Sequence, residues 1–140
     1  MATQVLIDNP YVTLWFHTNG KIVHHRMHKF IVESVFRDFL EAGMLAMKQY
    51  GACKWLSDDR KNPVLAQTLH DWARDSWLPR TRDAGWKYWA IVAPEDELGQ
   101  WTMQRAVDDY RAQGITAKYF KDPDEALSWL QGVDLIEPAA

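Results

Sequence analysis

Cysteine occurs once in the 140 residues, at Cys53, so no disulfide can form within the chain. A lone cysteine in an apolar run reads as core packing, and its isolation suits a reducing, cytoplasmic setting. No run approaches the roughly 20 apolar residues of a membrane span. Residues 1–8 also lack the basic start and apolar stretch of a signal peptide. Positive charge is not in excess. Sixteen Lys and Arg against nineteen Asp and Glu leave a net charge of -3, which gives nucleic acid or an anionic membrane no broad attraction. Absent too are the Gly-x-Ser-x-Gly elbow, the P-loop, the Gly-x-Gly-x-x-Gly turn and the zincin helix. His70, Asp71 and Asp75 crowd one stretch, but neighbours along a helix do not converge on one substrate. A soluble, non-catalytic domain without cofactor or metal is the expectation.

What is present is a regular alternation of β-rich and helical patterns. The runs 11–17 and 21–27 flank Thr18-Asn19-Gly20, and Asn-Gly is a strong hairpin signal because both positions tolerate positive φ. A turn there puts Val12, Leu14, Phe16, Val23, His25 and Met27 on the core face. Tyr11, Thr13, Trp15, His17, Ile22, His24, Arg26 and His28 then share the other face. From 31 to 50, Val32, Val35, Phe36, Phe39, Leu40, Met44 and Met47 recur at helical spacing, and Gly51 closes the helix. A buried strand follows over 52–58. Asn62 is placed to cap a helix with Pro63 in its first turn and Leu65, Leu69, Trp72 and Ser76 facing inward, and Pro79 should kink or end it. The run 87–93 reads as a strand covered on both faces. A helix over about 99–113, a short strand over 115–120 and a last helix capped by Asp122 complete the order, and the tail after Gly132 carries no structural signal. The expected fold is therefore one α/β domain over 1–140, its core at about 11–131. It has a mixed sheet of about five strands that begins with an antiparallel hairpin and continues with parallel strands and right-handed crossovers.

The residues that invite a function are few. The strand over 52–58 ends on Ser57-Asp58-Asp59 and runs through Arg60-Lys61-Asn62 toward a helix, and carboxyl ends of strands are where α/β sheets bind ligands and partners. Four histidines lie within twelve residues, which suggests metal. The hairpin register argues against it, since His25 faces the core while His24 and His28 stand about 13 Å apart along one strand. Only His17 and His24 can approach, as a diagonal pair. Their face, with Tyr11, Trp15 and Ile22, is a candidate homodimer surface. Of eight tryptophans, Trp72, Trp89 and Trp101 fall on apolar stripes, whereas Trp55, Trp77, Trp86 and Trp129 lie near element ends and could line a groove.

In order and pattern the chain resembles the STAS domains, specifically the SpoIIAA-like proteins, whose architecture is related to the lipid-binding SEC14 class. The resemblance runs from about Tyr11 to Leu130. It rests on the hairpin, the long first helix, the strand ending Trp55-Leu56-Ser57-Asp58, the Trp72 to Pro79 helix end, and the run from Tyr119-Phe120-Lys121-Asp122 to Ala126-Leu127-Ser128-Trp129-Leu130. It implies a non-catalytic regulatory module that meets a protein partner at Ser57 to Asn62, with a lipid or small-ligand carrier of the SEC14 type as the alternative. The antagonist members carry a phosphorylated Ser and glycines in the loop after this strand. Here the loop reads Asp59-Arg60-Lys61-Asn62-Pro63, and a phosphate on Ser57 would meet Asp58 and Asp59. The usual phosphoserine switch is therefore not expected.

Overall fold

Alternating apolar and polar residues from Val12 to Met27 fold the chain back on itself. In the computed structural model, which describes residues 3–28 and 30–134, β2 (Val12–His17) pairs antiparallel with β3 (Ile22–Met27). His17 lies opposite Ile22 and Val12 opposite Met27, the register expected from the Asn-Gly signal. Positive φ falls one residue later than expected, on Gly20 (87°) and Lys21 (54°), so residues 18–21 make a wider loop.

The sheet has six strands rather than about five. β1 (Thr3–Asp8) pairs antiparallel with β2, and β4 (Lys54–Asp58), β5 (Tyr88–Val92) and β6 (Thr116–Phe120) follow β3 in parallel, so that spatial order equals chain order. The register of β1 slips between Val5 and Ile7. That bulge breaks the two-residue alternation by which a strand is recognised, and it brings Leu6 and Ile7 against the main core.

Parallel neighbours in chain order, joined by crossovers of one hand, bring the connecting helices to one face. α1 (Glu33–Tyr50), α2 (Gln67–Trp72), α3 (Leu78–Asp83) and α4 (Glu97–Ala112) occupy it, packing Phe39, Met47, Leu78 and Val107 against Phe16, Val23, Trp55 and Ile91. α5 (Pro123–Gly132) crosses to the other face, where Ala126 and Leu130 cover Ile22, Leu56, Ala90 and Val92. Gly43 lets the Trp55 ring lie against the α1 backbone.

Three local expectations are corrected. Residues 62–66 are not helical, and α2 begins at Gln67 with no side-chain cap, so Asn62 caps nothing and Pro63 is outside the helix. An Asn-Pro pair permits a helix to start but does not drive one, and the backbone runs on without helical form to Gln67. Pro79 does not end the helix. A π-helical turn, Ala73–Trp77, joins α2 to α3, and Leu78 N–H bonds to the Ala73 carbonyl five residues back. The ladder thus shifts just where proline could not have donated. Finally, the chain after Gly132 does have a structural role. Lys54, with its side chain 4% exposed, pairs with Asp134 at 2.7 Å, and a buried ammonium needs such a partner.

Candidate functional site

Strand alternation divides the Ser57 to Asn62 junction between two faces. On β4, Trp55 and Ser57 point toward the helices and Leu56 and Asp58 toward the opposite face. Asp59 continues the ladder through its N–H to the Val92 carbonyl and turns to the helical side. Ser57, Asp58 and Asp59 are each 2% exposed.

The inward residues form a directed network. Trp89 Nε1 donates to Ser57 Oγ at 2.8 Å, and Ser57 Oγ donates to Asp59 Oδ2 at 2.9 Å. Trp55 Nε1 donates to His25 Nδ1 at 2.8 Å. An indole N–H can only donate, so His25 Nδ1 must accept and the ring proton sits on Nε2. That Nε2 faces Asp59 Oδ1 at 3.6 Å, too far for a hydrogen bond. His25 Nε2 and Asn62 Oδ1 are both buried without a partner.

These atoms line a cavity of about 90 Å³ beneath α1, α2 and α4. Its walls are aromatic: Trp55 and Trp77 meet edge to face at 5.2 Å, Trp77 and Trp86 lie 5.3 Å apart, and the Tyr110 ring is tilted against Trp89 at 4.9 Å. Burial, with the carboxylates of Asp109 and Asp59, pushes the Tyr110 phenol up, so it stays protonated. The π-helical turn contributes Ala73 and Trp77 to the lining. No family model, no curated protein and no solved structure matches this chain.

Of the residues singled out in the sequence, Ser57, Asp59 and Asn62 therefore meet in one cavity, while Asp58, Arg60 and Lys61 do not reach it. Trp55, Trp77 and Trp86 do line this space. Trp101, expected in the core, is 62% exposed with Arg105 over its ring. Sequence reading did not assemble His25, Trp89 and Tyr110 with Asp59. The one available signal was the place of His25 on the apolar face of its strand.

Asp58 faces outward and is held by Arg60 through Nε to Oδ1 at 2.9 Å and Nη2 to Oδ2 at 2.7 Å. Burial alone would raise its carboxyl, but the bonds and charge of Arg60, helped by Arg26, outweigh burial and hold it below the ordinary range. A depressed folded pKa contributes stability that is full above the unfolded value near 3.8 and is lost as pH falls through the lower folded value. Because Arg60 is one-third exposed, Arg60→Met should lose only about 1 kcal/mol at pH 7. Urea midpoints of the two proteins should converge in acid; a gap that stays constant to pH 2 would refute the pairing.

On the opposite face, His17 Nε2 and His24 Nδ1 lie 2.9 Å apart, the diagonal contact expected. Burial, then the His17 and His25 imidazoles, push His24 down to about 3. Among the described residues no group of three metal-ligating side chains forms. Two members of the expected interface are placed elsewhere: Ile22 is fully buried under α5, and Tyr11 packs against the main core. Trp15, its ring 4.5 Å from His24, remains on that face beside Val5, which is 58% exposed.

A second concavity, an open crevice of about 960 Å³, lies at the carboxyl ends of β5 and β6, where α4 leaves to one face and α5 to the other. Such a topological switch point is a common ligand position. Its lining mixes Arg60, Lys118 and Lys121 with Glu95 and Glu125, so it presents no single sign of charge.

Proposed function

We propose that this chain is a small-molecule-binding domain whose site is the aromatic cavity over β3, β4 and β5. One observation carries the proposal: His25 Nε2, a donor, and Asn62 Oδ1, an acceptor, are both buried and unpartnered in one apolar-walled space. Each unmade bond costs about 1–3 kcal/mol, and a polar guest would complete both.

The regulatory reading that follows from the STAS resemblance needs the junction open to a partner. Ser57 and Asp58 spend their bonds internally and Asp59 is buried beside them, which favours a ligand over a protein at this edge. The SEC14 comparison suggests a carrier, but the cavity is far below the roughly 300–1,000 Å³ that holds a drug-sized molecule. A guest of a few heavy atoms fits it. Ser57 donates its proton to Asp59 and accepts from the Trp89 N–H while only 2% exposed, so it serves here as part of the wall rather than as a nucleophile open to a substrate.

A collection of small fragments titrated into the full chain, followed by tryptophan fluorescence and amide NMR, tests this. Saturable binders should shift the resonances of His25, Asn62 and Trp89, and Ala106→Leu, which fills the cavity, should exclude them. Binders indifferent to Ala106→Leu, or no saturable binder at all, would sink the reading.

A further inference from the structure

We infer that the cavity is built for a small organic cation, an ammonium or guanidinium group held by Asp59 among the tryptophan rings; the inference rests on the ligand-binding reading above.

The charge pattern leads there. Asp59 is buried and accepts one hydrogen bond, from Ser57. Among the described residues, the only basic side chain within ion-pair distance of it is His25, at 3.6 Å. His25 makes no hydrogen bond to it, since its Nε2 stands 3.6 Å from Oδ1 and its Nδ1 accepts from the Trp55 indole. Nor do neighbouring cations help. Arg60 is turned outward and engaged in two bonds to Asp58, and Lys54 is committed to Asp134 on the opposite face. A buried carboxylate without a counter-charge is costly, and a bound cation removes that cost.

The remaining lining suits the same guest. Asn62 Oδ1 offers a second, unpartnered acceptor. Trp55, Trp77, Trp86 and Trp89 line the space, and the negative quadrupole of an aromatic ring attracts a cation. An anion would meet Asp59 and four electron-rich rings. A neutral guest would fill the volume but leave Asp59 uncompensated. The cavity size, about 90 Å³, restricts the charged group to something as compact as guanidinium or a methylated ammonium.

Matched probes separate this inference from the reading beneath it. The full chain is titrated at millimolar concentration with guanidinium chloride against urea, and with tetramethylammonium chloride against tert-butanol. Sodium acetate serves as the anion and potassium chloride fixes the ionic strength; tryptophan fluorescence and the His25 and Asn62 resonances are followed. Each cation should bind more than about tenfold tighter than its neutral counterpart, and Asp59→Asn should erase that difference. Equal or tighter binding of the neutral probes or of acetate overturns the cation inference and leaves the ligand site standing. If none of the probes saturates while fragments do, the cation inference fails alone; if fragments fail as well, the site itself is refuted. Should Asp59→Asn not fold, Asp59→Ser takes its place, and the wild-type pairs decide the question without either variant.

Discussion

Gly43→Ala is expected to destabilise the protein by about 2–4 kcal/mol, although the same change in an exposed helix would add about 1 kcal/mol. Gly43 sits inside α1 and is buried. A methyl group there would overlap the Trp55 ring, meeting its Cζ3 at 2.7 Å. The ring is tethered on several sides. Its Nε1 is held by His25 Nδ1, and its faces and edges meet Trp77 at 5.2 Å and Trp86 at 5.9 Å. The strain therefore falls on the helix-to-sheet spacing, where overpacking propagates. Urea unfolding of the two proteins measures it; an unchanged or raised midpoint would mean that α1 can lift off β4 freely.

Trp77→Ala should cost about 3–5 kcal/mol. Trp77 is 3% exposed, donates from Nε1 to the Leu40 carbonyl at 2.8 Å, and ties the π-helical turn to α1. Removing the ring leaves Trp55 and Trp86 facing a void that α1 and the π-helical turn cannot both close. Trp77→Phe should cost less, because it retains most of the ring while losing the bond. If Trp77→Ala and Trp77→Phe unfold at the same urea midpoint, the indole volume is not what stabilises this region. The wall it supplies also shapes the cavity, so fragments that bind the native protein should fit the enlarged space of Trp77→Ala less well.

Much of the architecture is legible in the sequence. The hairpin register followed from Asn19-Gly20 and the alternation of Val12, Leu14 and Phe16, since a two-residue period allows only one apolar face. The helix ending at Gly51 followed from the three- and four-residue recurrence of Phe36, Phe39, Leu40 and Met47. The parallel strands followed from apolar runs separated by helical patterns. β1 escaped because a bulge between Val5 and Ile7 destroys the period that marks a strand. The late start of α2 escaped because Asn62-Pro63 has the appearance of a cap, and the backbone instead continues for residues 62–66 without helical form. Trp101 looked like core by spacing alone, yet the face of α4 that carries it points to solvent.

The candidate site was half legible. Ser57, Asp59 and Asn62 stood out as a strand end, and the tryptophans at element ends suggested a lining. Their union depended on distance across the fold: His25 on β3, Trp89 on β5, and Tyr110 on α4 reach Asp59 only after three crossovers have been laid on one face. Local sequence determined the strands, most of the helices and their order, because periodicity and turn chemistry act between near neighbours. Only the tertiary structure decided which way Ser57, Asp58 and Asp59 face and what stands opposite them. A one-residue step along a strand reverses direction, and the partners that confer chemical meaning lie up to tens of residues away.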